Sequence, residues 1–391
     1  MSRTDAKGWR PFIAASLAFF TVMAGATVPT PLYPLYAETY GFSPIIITAI
    51  FAIYSVGVIG ALIVTGPWSE EIGRKPVLLA GVATALLASV VFAIADGLWL
   101  ILLARLLQGV SVGLFNAAAT IAVSEFAPKS HPRLGAIIAT VANMGGLGMG
   151  AIIGGVVLTV LPWPLISPYL VHIAMAVLAG AFLWPAPDPV ERSDSPDLSP
   201  QSLAVPSEVR DLFFPAAISA FSGFMVCGFL GAVAPSFLGK VLGYEGWHIL
   251  IGFTAGLIFL TSCAAQAAED FMPRKLVLPL GMGLLTLGLA AITAALAAST
   301  LIGLLAAIAF AGLGHGIAFK GGLSSLTNAA PEDQGASISA TYFTVAYVAI
   351  SIPVVIIGAL QTVFDLQPIA VGYGIAATLL SALAFVLILR R

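Results

Sequence analysis

Twelve apolar segments follow one another along this chain, each near the roughly 20 residues that a helix needs to cross bilayer hydrocarbon. They lie near 11–36, 45–66, 77–95, 98–121, 135–160, 168–184, 212–238, 247–268, 276–297, 300–327, 336–362 and 369–389. Charged residues, proline and glycine punctuate them. Hydrophobic types make up 59% of the 391 residues and charged types 9%, with a mean hydropathy of +1.04. That composition excludes a soluble globular domain, and the fold expected is an all-α membrane protein of twelve transmembrane helices in the lipid bilayer. A net charge of −2 leaves no basic surface for nucleic acid. Cys227 and Cys263 fall in apolar runs and read as small packing residues, not as a disulfide framework. Ala24-Gly25-Ala26 follows Arg3, Lys7 and Arg10 and resembles a signal-cleavage site. The apolar run continues past it and the span count needs it, so the segment reads as the first helix.

Connectors are short except 185–211, "PAPDPVERSDSPDLSPQSLAVPSEVRD", which is rich in proline, serine and acid. It reads as a flexible cytoplasmic linker between six-helix halves at 1–184 and 212–391. Lysine and arginine set the orientation. With the N-terminus in the cytoplasm, Arg3, Lys7, Arg10, Arg74, Lys75, Lys129, Arg133, Arg192, Arg210, Arg274, Lys275, Arg390 and Arg391 are all cytoplasmic, and Lys240 is outside. Both termini then lie inside. Glu38, Asp96, Glu245 and Asp365 fall at the outer end, and the other acids fall in cytoplasmic segments or at their edges. On this reading no carboxylate lies deep in the membrane. Arg105 and Lys320 sit within spans, where a charge costs at least about 2.5–3.5 kcal/mol near the centre.

The two halves resemble each other. "RKPVLLAG" at 74–81 matches "RKLVLPLG" at 274–281, and "GAII" at 135–138 matches "GASI" at 335–338, both at an offset of 200 residues. A duplicated six-helix unit is how many transporters build two lobes about a midplane site.

Three motifs carry a family resemblance that covers nearly all of the chain. "GPWSEEIGRKPVL" at 66–78 resembles the cytoplasmic signature of the major facilitator superfamily, with Gly66, Gly73, Arg74 and Lys75 in place and Glu70 where that family usually has aspartate. Gly73 permits a tight turn. The resemblance implies a gate in which the acid and the arginine pair across the lobes; an ordinary positive-inside loop is the alternative. "RLLQG" at 105–109 resembles the span-four motif of the drug–proton antiporters, the arabinose-efflux-permease-like subgroup of that superfamily. Arg105, Gln108 and Asn116 share one helical stripe, which should face protein or a wet cavity. A structural hydrogen-bonding stripe between helices reads the same residues differently. "GLGMGAIIGG" at 146–155 resembles the antiporter signature of span five, with Gly146, Gly150, Gly154 and Gly155 matching and Ala151 in place of a proline. Those glycines allow close helix packing, whether or not they also seal a cavity. In this family the first, fourth, seventh and tenth helices line the cavity.

Pro29, Pro31 and Pro34 should break the first span near its outer end. Tyr33 and Tyr36 suit an interfacial belt there, and Pro353 is a candidate kink. His315 and Lys320, five residues apart, point about 140° from each other on a helix. Lys320, Ser324 and Thr327 form a stripe toward the cytoplasmic end. Lys320 either snorkels or touches substrate. His315 either bonds to a neighbouring helix as a neutral ring or carries a proton. His172 poses the same question in span six, and Asn143 in span five joins the candidate substrate or proton pathway.

Arg105 and Lys320 have no evident acidic partner in the membrane. Either an anionic solute supplies one, or backbone carbonyls and amides satisfy Arg105 and leave the pocket to neutral compounds. The leading expectation is a secondary transporter of the bacterial inner membrane that works as a monomer. It would export small organic molecules or drugs by alternating access, coupled to protons. The alternative is proton-coupled uptake or exchange of an anionic metabolite. No nucleotide-binding loop, catalytic triad or metal cluster is recognisable, so neither an enzyme nor a bound cofactor is expected. A non-transporting receptor or assembly factor fits poorly with duplicated lobes and gate residues.

Overall fold

The structure, a computed structural model, describes residues 8–190, 193–269, 271–331 and 334–390; Arg3, Lys7, Arg192 and Arg391 lie outside the described residues. Among the described residues, eleven helical stretches are long and apolar enough to cross a membrane, and Ser167–Leu183 adds a shorter apolar helix in sixth place. The expected twelve-helix, all-α membrane architecture is thus present.

Span one is α1 (Trp9–Thr27) and α2 (Tyr33–Tyr40), joined through a 3₁₀ turn at Thr30–Leu32. Prolines 29, 31 and 34 cause the break, since each lacks the N–H that a continuing helix needs. Span two is α3 (Pro44–Thr65), followed by the loop helix α4 (Trp68–Glu71); span three is α5 (Arg74–Ala93) and span four α6 (Leu98–Phe126). Span five is α7 (Pro132–Thr140) and α8 (Gly146–Val160), with a π-helical turn at Val141–Gly145 between them; span six is α9 (Ser167–Leu183). After the linker, span seven is α10 (Arg210–Ala232) and α11 (Ala234–Lys240), broken at Val233 just before Pro235. The remaining spans are α12 (His248–Glu269), α13 (Arg274–Ala297), α14 (Leu301–Ala329), α15 (Gly335–Leu360) and α16 (Leu366–Leu389). Spans one and seven, which open the two series of six, are therefore broken alike near their ends. Pro215, Pro279 and Pro353 lie inside helices that run on past them, as neighbouring spans permit in a membrane.

Side chains such as Leu87, Val160, Phe182, Leu287 and Ile302 are exposed and make the lipid-facing surface. Trp9, Trp99, Trp163, Trp184 and Trp247 are exposed at span ends, where an indole suits the membrane–water boundary. Tyr33 and Tyr36 do not join that belt. Both are only 2% exposed, and the Tyr36 hydroxyl meets that of Tyr169 in span six. The break at Thr30–Leu32 turns them inward.

Alternation of twelve spans places the connectors carrying Arg74, Lys129, Arg274 and Lys275 at one end, hereafter the basic end. At the opposite end the first and last six spans approach backbone to backbone. Added β-carbons on Gly155 and Gly252 would run into the His248 and Ala151 carbonyls, and one on Gly256 into that of Gly148. This seam joins spans five and eight. A second joins spans two and eleven, where a β-carbon on Gly358 would lie 3.0 Å from Ile45 Cα. Gly146, Gly150 and Gly154 serve another contact, with span one: β-carbons there would meet Phe20, Ala24 and Val28 carbonyls. Ala151, standing where the resembled signature has proline, is buried inside unbroken α8.

Gly256→Val should therefore lower the thermal unfolding midpoint of the purified protein, since overpacking costs about 1–3 kcal/mol. Gly60→Val, whose β-carbon would meet nothing within 4 Å, should leave the midpoint unchanged. Equal midpoints for the two variants would remove the seam from the account.

Candidate functional site

A chamber of about 460 Å³ opens at the basic end between the first and last six spans. Its walls come from spans four and five on one side and spans ten and eleven on the other. Asn116, Thr120 and Ser124 of span four and Asn143 and Met144 of span five line it from the first six spans, and Phe319, Lys320 and Leu323 of span ten with Ser339, Ala340 and Phe343 of span eleven line it from the last six. Leu62 and Gln266 add to the wall from spans two and eight, and Ser69, Glu70 and Gln201 form the rim. Spans one and seven contribute no described residue, which departs from the expectation that they line the cavity together with spans four and ten. The π-helical turn at Val141–Gly145 brings Asn143 and Met144 to the wall. One extra residue in the turn rotates the helix beyond it, and such turns recur at functional sites.

Arg105 and Gln108 stand behind the chamber floor, not on its wall. Arg105 is 1% exposed. Its Nε donates to the Ile50 carbonyl at 3.3 Å, Nη1 to Ala26 O at 3.0 Å and Nη2 to Phe51 O at 3.3 Å. Nη1 also reaches Gln108 Oε1, and Gln108 Nε2 in turn donates to the Gly25 carbonyl. The planar, multi-donor guanidinium suits such a set of acceptors in a way an ammonium does not. Of the two alternatives left open by the sequence, carbonyls and an amide satisfy Arg105. The guanidinium also lies 4.8 Å from the Tyr54 ring centre and 5.6 Å from that of Phe51, close enough for cation–π attraction. These rings meet the other six spans. Tyr54 packs edge-on against Tyr347, and Phe51 abuts Gly231. Asn116 Nδ2 donates to the Tyr347 hydroxyl at 2.8 Å, bridging spans four and eleven at the floor.

The expected absence of an acidic partner is corrected at Lys320. Its ammonium lies 3.4 Å from Glu269 Oε2 and donates to the Gln266 carbonyl at 2.8 Å. The Glu269 side chain is 10% exposed. It ends span eight, so the chain's own linear order places it at a cytoplasmic edge, yet folding turns it in toward span ten. Ser324 and Thr327, expected beside Lys320, are not among the chamber's described lining; Leu323 is.

His315 is 1% exposed and lies behind Phe319, on which its ring stacks. Its Nδ1 is 3.1 Å from Ser262 Oγ, which accepts from Gln266 Nε2 at 3.2 Å. Ser262 can then donate to Nδ1, leaving Nε2–H toward Cys227 Sγ at 3.9 Å. Gln266 thus connects the chamber wall to a buried imidazole. His172 is held differently: Nε2 donates to the Thr21 carbonyl at 2.9 Å and Nδ1 accepts from Ser89 at 2.6 Å, which occupies both nitrogens within the packing of spans one, three and six.

The loop at 66–75 does not pair across the lobes here. Arg74 is buried, donating to Ser69 Oγ at 2.7 Å and facing Glu125 Oε2 at 3.4 Å and Glu70 Oε1 at 3.7 Å. All three partners belong to the first six spans. Gly73 has φ +101°, a backbone that a β-carbon disfavours. Asp188 Oδ1 accepts the Arg74 backbone N–H at 3.0 Å. Gly66 lies under Gln201, whose Cβ would be 3.1 Å from an added β-carbon, and Lys75 is half-buried at the start of α5.

A model of the Major Facilitator Superfamily matches residues 15–354. The chain belongs to this superfamily. As a major facilitator it is a multi-pass membrane transporter. Among curated relatives it is similar to the multidrug resistance protein MdtL of Salmonella heidelberg and to that of Salmonella typhi, each 28% identical over 283 residues, 69% of either chain. The corresponding protein of Salmonella dublin is 27% identical over the same length.

Residues that the sequence did not single out, Glu269, Gln266, Ser262, Tyr54 and Tyr347, complete the superfamily member's interior. A polar residue in an apolar run marks Gln266 in advance; nothing comparable marks Tyr347. Arg105→Ala should insert in the membrane yet unfold at lower temperature, because losing a charged donor to buried acceptors costs about 2 kcal/mol. Arg105→Lys should recover only part of the loss. A midpoint equal to that of the wild type in the alanine variant would contradict the carbonyl clamp.

Proposed function

We propose that this transporter exports small, largely apolar organic molecules across the bacterial inner membrane, as a monomer with both termini in the cytoplasm, in exchange for protons. The observation that carries the reading is the chamber: apolar walls with scattered amides and hydroxyls, whose lining ammonium, Lys320, is already balanced by Glu269. Such a pocket suits neutral or weakly charged amphiphiles. The multidrug relatives support the same direction. The anion-uptake alternative rested on cations without acidic partners, and that premise no longer stands for Lys320.

Alternating access supplies the mechanism. The two six-helix halves, 1–184 and 212–391, rock about the floor where Asn116 meets Tyr347. Opening the glycine seams at the other end would uncover Phe51, Tyr54 and the Arg105 clamp to the outer side. Glu269 is the carboxylate we assign to proton exchange. A proton on it breaks the pair with Lys320 and changes the chamber's polarity, and His315 is reached from the same wall through Gln266 and Ser262. Arg74, Glu70 and Lys75 belong to the cytoplasmic gate, whose pairing across the halves would form when the mouth closes.

Everted vesicles loaded from outside with a fluorescent lipophilic dye test the reading. Imposing an inside-acid gradient should drive dye accumulation in vesicles carrying the protein and not in empty ones. Glu269→Gln should flatten the pH dependence of accumulation while retaining dye binding, since the amide cannot take up or release the proton. His315→Ala should blunt it less. Dye movement indifferent to the gradient would overturn proton coupling, and no movement of any lipophilic dye would overturn export.

A further inference from the structure

Spans two and eleven do not diverge freely from their contact at the opposite end. At the basic end the linker lies between them. The Gln201 N–H donates to the Ile63 carbonyl in α3 at 2.6 Å. Next along the chain, the Ser202 carbonyl accepts from Ser337 Oγ in α15 at 2.7 Å, and the Ala204 N–H donates back to the same Ser337 Oγ at 3.1 Å. Two neighbouring linker residues therefore hold helices from different halves of the chain. Upstream, the same strand is fastened to the loop helix α4: Ser193 N–H donates to the Glu71 carbonyl at 2.9 Å and Asp197 N–H to its carboxylate at 3.2 Å. Pro196, Pro200 and Pro206 stiffen the segment. The flexible tether expected from composition is instead an ordered strap, with Gln201 on the chamber rim.

Helices in direct contact have axes about 8–10 Å apart. An extended strand bonded to both helices excludes that spacing at the basic end, whereas the glycine contact at Gly358 permits it at the other. We propose that residues 201–204 are a wedge that holds the mouth of the chamber open and must withdraw before the mouth can close. The wedge rests on the alternating-access reading above and adds to it the element that sets the resting state. Gly66 is the position that admits it, since a β-carbon there would press on Gln201.

Electron paramagnetic resonance distances between spin labels on the full-length protein test this. Labels at positions 130 and 328, replacing the exposed Ser130 and Asn328, report the mouth, and labels at Thr39 and Glu245 report the opposite end. Cys227 and Cys263 are replaced by alanine in this background. Ser337→Ala removes most of the wedge's anchorage on α15, leaving Thr341 Oγ1 donating to the Ala204 carbonyl at 3.3 Å. A separate variant carries Gln201→Gly, Ser202→Gly, Leu203→Gly and Ala204→Gly at constant linker length. Ser337→Ala should raise the ratio of narrow to wide mouth by about fivefold, as loss of one or two hydrogen bonds gives; the four-glycine variant keeps the backbone bonds but loosens the strap, and should shift the ratio in the same direction. An unchanged or wider mouth in both variants overturns the wedge. If the opposite-end pair still shows two distances in the wild type, that result leaves alternation standing without a wedge. A mouth that narrows while the opposite end never widens supports the wedge and sinks the alternation.

Discussion

Close approach of backbones at one end of the bundle is the constraint on which the rest of the structure depends. Apolar side chains gain little by leaving lipid for protein, so spans associate through packing contacts that small residues permit. Gly155, Gly252, Gly256 and Gly358 concentrate that contact between the first and last six spans at the end opposite the basic loops. Helices pressed together at one end and not at the other must diverge, and the chamber is the space that divergence leaves. Its position follows from where the glycines are, not from any residue in its wall.

Charge inside the bundle obeys the same geometry. A cation in hydrocarbon needs fixed partners or water. Arg105 is given partners from spans one and two plus Gln108 on its own helix, which also ties the broken first span to its neighbours. Lys320 lies on the wall and shares its charge with Glu269. The two cations, alike in sequence as lone charges in apolar runs, therefore occupy different surroundings: Arg105 deep in packed protein behind the floor, Lys320 on the wall of the chamber. Tyr54, Tyr347 and Asn116 link the first of these to the second half of the chain across the floor.

Much of the fold was legible in the order of residues because membrane spans are a property of composition over some twenty positions, and the break after Thr27 is local proline chemistry. The case for a duplicated six-helix unit rested on two short matches at one offset. What tertiary contact decides was not. Glu269 and Lys320 are 51 positions apart, and Glu269 stands one residue past the expected end of span eight, so linear reading placed it among surface acids. Tyr33 and Tyr36 have the composition of an interfacial belt, but the turn before them points Tyr36 at Tyr169 of span six and Tyr33 at Phe51 of span two. The π-helical turn that presents Asn143 leaves no mark in hydropathy, since Val141–Gly145 would suit an α-helix equally well. The linker's proline and acid content signals a lack of core, yet its backbone finds partners on Ile63, Glu71 and Ser337 that only the assembled bundle provides.

The central claim is that the chamber faces one side of the membrane at a time. The most direct measurement is cysteine labelling by a membrane-impermeant reagent at Thr120 and Ser339, on opposite chamber walls, in everted and in right-side-out vesicles. The account predicts reaction from the basic end alone at rest, with reaction from the other side appearing only under turnover and at the expense of the first. Simultaneous reaction from both sides would describe a channel, and protection from both sides in every condition would describe a closed scaffold. Either result would contradict the account.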